Sequence, residues 1–202
     1  MGRNILVRGN VKMGPDVYIF NLPPEKTCVP SEWCRKNCYA LKGNFRLPNA
    51  KESAEWHYQA SLRADFVDLI VAEIKRLEKR KQAGKIGEFY VRVHASGDFY
   101  GEEYVGKWLA IAQACPEVLF RTTTKRDDLA KAIRRLDALP NFIVRESLDP
   151  SRPKATMGLS AISAVSTTSG IKFDGMLKCP NDCPKCGYRC WTSRTSNYFA
   201  PH

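Results

Sequence analysis

Between Val17 and Ser166 the sequence switches repeatedly between strand-like and helix-like patterning, and this alternation narrows the possible folds more than any other feature. Residues 17–21 (VYIFN) read as a buried strand running into Leu22-Pro23-Pro24 and a cysteine-bearing loop. Phe66, Leu69, Ile70, Ile74 and Leu77 mark one face of a helix over about 64–82, which Gly84 and Gly87 close. A strand at 88–94 (EFYVRVH) follows. Tyr104, Trp108, Ile111, Ala112 and Cys115 then recur at helical spacing until Pro116. The next strand is 119–124, and Asp127 or Asp128 is the expected cap of a helix with Leu129, Ile133 and Leu136 inward. Strands at 141–146 and 159–166 complete the series. Such alternation predicts an α/β fold of parallel βα units, as an open sheet or a partial barrel.

Two strands carry an unusual pattern. In EFYVRVH, Phe89, Val91 and Val93 point one way, while Tyr90, Arg92 and His94 point the other. In 141–147 (NFIVRES), Arg145 faces away from Val144. A parallel strand covered on both faces reads as nearly continuous apolar residues. Arginine in a dry core is costly. Arg92, His94 and Arg145 are therefore expected on a polar concave face, the alternative being edge positions in solvent.

The length of 202 residues suits one domain, 1–202, with a βα core over about 15–166 and a cysteine-rich segment over 167–202. Hydrophobic residues make up 44%, and no low-complexity linker or internal repeat interrupts them. No run approaches the roughly 18 apolar residues of a membrane span, and Met1-Gly-Arg-Asn lacks the apolar core of a signal peptide. The expectation is a cytoplasmic protein without membrane contact, in a compartment where thiols stay reduced.

The formal net charge of +11 favours a polyanionic partner, most often nucleic acid, over a merely basic surface. Lys75, Arg76, Lys79, Arg80, Lys81 and Lys85 alternate around one helix end and read as a solvated face. Arg35, Lys36, Lys42, Arg46, Lys185 and Arg189 interleave instead with cysteines and with Trp33, Tyr39, Phe45, Tyr188 and Trp191. These six are the predicted nucleic-acid contacts. Nothing in the sequence sets an oligomeric state.

Of the eight cysteines, Cys115 lies on an apolar helix face and reads as a small buried side chain. The others form two groups. Cys28, Cys34 and Cys38 are spaced C-x5-C-x3-C. Ser31 is a plausible helix N-cap that sets Cys34 in the first turn and Cys38 one turn later, and the helix N-terminus should ease thiolate formation. Three thiols on a loop after the first strand suit a [4Fe–4S] cluster with one iron unclaimed by the motif. Structural zinc with a distant fourth ligand and unrelated buried cysteines are the alternatives. Cys179, Cys183, Cys186 and Cys190 follow as C-x3-C-x2-C-x3-C, broken by Pro180, Pro184 and Gly187. Such a tight loop wraps a second [4Fe–4S] cluster or a zinc ion. Its fourth thiolate would close the site.

The combination of C-x5-W-C-x3-C-Y-A-L-K-G, then H-A-S-G-D-F-Y-G-E-E-Y-V-G-K-W, then T-T-T-K and the cysteine-rich tail resembles the phage and prophage gene product 88-like proteins, over about 28–191. That family in turn looks like a reduced relative of radical S-adenosylmethionine enzymes. The resemblance implies a partial (βα) barrel with its cluster at the carboxyl ends of the strands. Ser96-Gly97-Asp98 occupies the place of the motif that holds the cofactor's amino group, so S-adenosylmethionine is an implied ligand there. Two departures count against that chemistry: the first cysteine spacing is not C-x3-C-x2-C, and the acidic residue is aspartate.

Two functions follow. The first is an iron–sulfur protein that binds nucleic acid, with single-stranded DNA or RNA as the candidate strand, through a basic, aromatic-lined surface. The second is a radical enzyme acting on a nucleotide or nucleic acid, with Asp98, His94 and Arg92 at its centre. Binding ranks first, because the spacing is broken and the chain is short for enclosing cofactor and substrate. Clusters that merely staple a small fold are a third, structural role.

Overall fold

A computed structural model describes residues 4–201. Met1–Arg3, part of the stretch read for a missing signal peptide, lie outside the described residues. The strands are β1 (Val7–Arg8), β2 (Val17–Phe20), β3 (Tyr90–Val93), β4 (Leu119–Thr124), β5 (Phe142–Leu148), β6 (Ala161–Val165), β7 (Leu177–Lys178) and β8 (Asn197–Phe199). They form one eight-stranded sheet in the order β1-β2-β3-β4-β5-β6-β8-β7. Every pairing is parallel except β1 with β2. The fold is thus α/β with a mostly parallel sheet.

From β2 to β6 each strand lies beside its sequence neighbour, so successive right-handed crossovers deliver their helices to the same face. On that side α3 (Pro48–Leu62), α4 (Phe66–Gln82), α5 (Glu102–Ala114) and α6 (Ala130–Asp137) cover Phe20, Val91, Val93, Phe120, Phe142 and Val144. Phe20, Phe66 and Trp108 interlock edge to face, with centroids 5.4–5.8 Å apart. The other face carries a smaller cluster of Val17, Ile19, Ala95 and Trp191, with Tyr90, Leu119 and Tyr188 against it. Among the described residues, none of the longer helices crosses there. The C-terminal segment does, through the single turn α7 (Arg189–Thr192).

Several expectations are revised. The helix after β4 begins as a 3-10 turn at Asp127–Leu129, and neither aspartate caps it with its side chain. Asp128 instead receives Arg126 through Nε at 2.8 Å and Nη2 at 2.6 Å. His94 does not share the face of Arg92. The strand ends at Val93, and a left-handed φ of 62° swings His94 to the helix side, against Phe99 and Tyr104. Its Nε2 meets the Tyr104 hydroxyl at 2.9 Å. Arg145 does face away from Val144, yet no open concavity lies over it. It is fully buried under the tail, donating from Nη1 to Cys190 O at 2.8 Å and from Nη2 to Ser193 O at 2.6 Å. Among the described residues, no helix is long and apolar enough to cross a membrane.

Candidate functional site

Parallel sheets expose functional groups beyond the carboxyl ends of their strands, and the first cysteine group lies there. After β2 the chain makes the turn α1 (Pro24–Thr27), passes Cys28, and enters α2 (Glu32–Asn37). Ser31 caps α2 as expected, accepting from Cys34 N at 3.1 Å. Its hydroxyl also donates to the fully buried Asp149, beyond β5, at 2.6 Å. Ser151 accepts from Trp33 N at 2.9 Å. The cysteine-bearing helix is therefore docked across the sheet onto the β5–β6 loop.

Cys28, Cys34 and Cys38 are partly buried free thiols within electrostatic reach of one another. Burial raises the Cys28 and Cys34 thiols, and the neighbouring Asp98 raises Cys28 further. Desolvation thus overrides the helix N-terminus, and these thiols stay protonated rather than ionising readily. Lys125, just past β4, opposes that shift at both cysteines. Its Nζ donates to Ser147 Oγ at 2.8 Å and lies 3.6 Å from Asp149 Oδ2.

The Ser96-Gly97-Asp98 loop adjoins this group. Gly97 has φ 84°, and a Cβ there would fall 2.5 Å from Leu22 Cβ, so only glycine fits against the β2 loop. Ser96 donates to Leu22 O at 2.9 Å. Buried Asp98 accepts from Thr124 Oγ1 at 2.7 Å, Phe99 N at 2.8 Å and Lys125 N at 3.0 Å. Its carboxylate therefore ties the β3 and β4 ends together. Burial raises its pKa despite these donors. Arg92 sits on the other face and donates from Nε to His94 O at 3.1 Å.

The second group crosses the helix-free face. Cys183 N donates to Lys12 O at 2.8 Å, Cys179 N to Tyr198 O at 2.8 Å, and Cys186 Sγ to Cys183 O at 3.3 Å. Tyr188 stacks on Tyr90 with centroids 4.6 Å apart and donates to Asp16 at 2.9 Å. Gly14, at φ 80°, lies so near the tail that a Cβ would sit 2.5 Å from Pro184 Cγ. Trp191 is 2% exposed and donates its indole N–H to Val91 O at 3.0 Å. Trp191 is thus a core anchor and offers no stacking face. Burial, then Cys186, pushes Cys183 up to about 12, whereas Arg121 pulls it down. Cys179 is also raised by burial and lowered by Arg121.

Among the described residues, no three His, Cys, Asp or Glu side chains close to the grip of a single metal ion. The sequence gives no direct signal for Arg121, Lys125, Ser147 and Asp149, which complete the surroundings of the two groups. Only their position on or just beyond β4 and β5 marks them. Of the predicted nucleic-acid contacts, Arg35, Lys36, Lys42, Arg46, Lys185 and Arg189 are all exposed. Lys36 pairs with Glu32 at 2.7 Å. Cys115 is buried, as read.

No solved structure matches the chain. The Gene 88 protein of Mycobacterium phage L5 is 29% identical over 164 residues, covering 74% of this chain. The chain spans 66% of that relative's length. A family model, Gene product 88, matches residues 4–161. The matched stretch includes Cys28, Cys34, Cys38 and Ser96-Gly97-Asp98 but ends before the C-terminal cysteines, short of the expected reach to residue 191. On that match, the chain belongs to the Gene product 88 family.

Proposed function

We propose that this protein is an iron–sulfur protein that binds nucleic acid. The observation carrying this reading is the two-sided character of segment 28–47. Its inward side presents Cys28, Cys34 and Cys38 to the strand ends. Its outward side exposes Arg35, Lys36, Lys42 and Arg46 beside Tyr39 (41%), Leu41 (42%) and Leu47 (50%). Cations that neutralise phosphates, next to exposed apolar and aromatic surface, suit a flexible single strand. Groups of three and four partly buried free thiols suit clusters, because a cluster sets a separate iron under each thiolate. When bound, such a cluster would supply rigidity or electron transfer. The chain's own residues bind the strand, and the clusters hold the binding segment to the sheet.

A radical-enzyme reading draws on one separate observation. The three-cysteine group stands at the carboxyl ends of sequentially ordered parallel strands, beside Asp98 and Lys125. It ranks second because Asp98 already accepts three hydrogen bonds from the protein.

The test is anaerobic purification with iron and sulfide counts, then titration with single-stranded DNA and RNA over a salt series. About eight irons per chain and affinity falling steeply with salt are expected. Alanine at Arg35, Lys36 and Lys42 together should weaken binding. Undetectable binding at low salt would overturn the nucleic-acid reading, and a chain without iron would overturn the clusters. Formation of 5′-deoxyadenosine by reduced, cluster-replete protein would put the enzyme first.

A further inference from the structure

Arg126, Arg152 and Arg194, each at least partly buried, meet carboxylates: Asp128 at 2.6 Å, Glu146 at 3.4 Å and Asp137 at 2.7 Å. Among the described residues, Arg92 and Arg121 meet none. They are register partners on β3 and β4, so their side chains leave the same face of the sheet from strands about 4.8 Å apart. Arg92 is partly buried and donates from Nε to His94 O at 3.1 Å. Arg121 is 8% exposed, and its buried Nε has no hydrogen-bond partner. Its Nη2 reaches only Thr123 Oγ1, at 3.4 Å, and its guanidinium lies 5.4 Å from the Trp191 ring centroid. Arg145, whose register partner is Thr123, adds a third guanidinium on this face, bonded to neutral carbonyls. Like charges side by side on neighbouring strands destabilise a sheet, and a buried cation without a counter-charge is costly. The contact with Trp191 offsets only part of that cost.

We infer that Arg92 and Arg121 form a seat for a phosphate group, either inorganic phosphate or the terminal phosphate of a strand. Two residues before Arg92, Tyr90 is stacked under Tyr188 of the tail. Three residues after it, Ala95 O accepts the hydroxyl of Tyr39 from the first cysteine segment. The pair thus stands where the apolar cover of the tail gives way to the strand ends, and partly buried Arg92 connects it to solvent. Two forked guanidinium groups offer parallel N–H donors to the oxygens of one tetrahedral anion. A phosphate monoester, at about −1.5 to −2 near pH 7, matches two cations. A mid-strand phosphodiester carries one charge and is flanked by sugar on both sides. The seat makes no use of the cysteines and stands without the proposed clusters. Only its strand form rests on the proposed nucleic-acid binding, to which it adds recognition of a strand end.

The test uses the full chain, purified anaerobically in chloride, and two probes. Inorganic phosphate, added at constant ionic strength, should raise the melting temperature of wild type saturably. Arg121→Gln and Arg92→Gln should each need roughly ten- to hundred-fold more phosphate for the same shift, the range for losing charge-assisted hydrogen bonds. Arg121→Lys should recover part of the response, since it restores the charge without the fork. Arg92→Gln, at the more exposed partner, keeps the test in force if Arg121→Gln fails to fold. No phosphate response in wild type, or an undiminished one in a folded variant, would overturn the seat and leave strand binding by segment 28–47 standing. The second probe is a single strand bearing a 5′- or 3′-phosphate, compared with the same strand ending in hydroxyls. Tighter binding of a phosphorylated strand by wild type, lost in the variants, would assign the seat to a strand end. A phosphate response without that preference would assign it to free phosphate. A phosphate response with no strand binding at all would keep the seat and overturn the nucleic-acid reading.

Discussion

The two cysteine groups are attached to one sheet by opposite means. The first is carried on a loop at the strand ends, within the span shared with the Gene product 88 family, and is fixed by polar contacts: Ser31 to Asp149, Trp33 N to Ser151, Asp98 to Thr124 and Lys125. The second lies beyond that span and is fixed by a face: Trp191 and Tyr188 packed on Val17, Ile19 and Tyr90, with Arg145 bonded to the carbonyls above it. Polar fixing at strand ends leaves side chains near solvent and within reach of a ligand. Apolar fixing across a sheet face seals the surface it covers. The contrast suits the first group to chemistry or recognition and the second to structural closure.

The largest expected effect falls on the second mode. Trp191→Ala removes the largest side chain of the tail anchor together with its indole hydrogen bond to Val91 O. By analogy with buried tryptophan truncations it should cost about 3–5 kcal/mol in a denaturant melt. If the two groups are fixed independently, thiol labelling of the variant should speed at Cys179, Cys183, Cys186 and Cys190 but not at Cys28, Cys34 or Cys38. Equal acceleration in both would break the comparison, because it would make the tail a brace for the whole sheet.

The reciprocal variant tests the polar mode. Ser31→Ala deletes the cap on Cys34 N and leaves the buried Asp149 without its 2.6 Å donor. A loss of about 1–2 kcal/mol is expected from one cap and one charge-assisted bond. Labelling should now quicken at Cys34 and Cys38 and stay unchanged in the tail.

How much of this was legible in the sequence follows the same division. β2, β3, β4, β5 and β6 were readable because their burial imposes β-branched and aromatic runs, and 119–124 was bounded to the residue. α3 was missed because its buried positions are Ala54, His57, Ala60 and Ser61, too small or polar to draw an apolar stripe. β7 and β8, of two and three residues, carry no period at all. The face of Arg145 was read correctly from strand alternation, but the tail that covers it is far away in sequence. His94 was misread for a local reason: alternation holds only while the strand continues, and the left-handed residue after Val93 ends it. At the candidate sites the thiols were legible from their spacing. The place of Arg121 was not, since the Trp191 ring that lies over this β4 residue is far away in sequence.

The effect that is smallest near neutral pH concerns the helix side, which carries neither cysteine group, and it grows as pH falls. His94 is 2% exposed, and burial depresses its pKa from 6.5 to about 3. Between those values the unfolded chain takes up a proton that the folded chain refuses. The contribution of His94 is therefore undiminished above pH 6.5 and is lost as pH falls toward 3. One such group should cost about 0.8 kcal/mol at pH 6, the loss then approaching about 1.4 kcal/mol for each further unit. His94→Asn keeps a residue that tolerates the left-handed backbone while removing the titration. The variant will be less stable at pH 8 for its lost packing. Relative to that offset, its stability should fall less steeply than wild type between pH 7 and pH 5 in parallel denaturant melts. Parallel pH profiles would mean that the imidazole is accessible to protons in the folded chain. The helix side would then be open near Asp98, and the sealed face and the exposed strand ends would no longer be separated by a dry core.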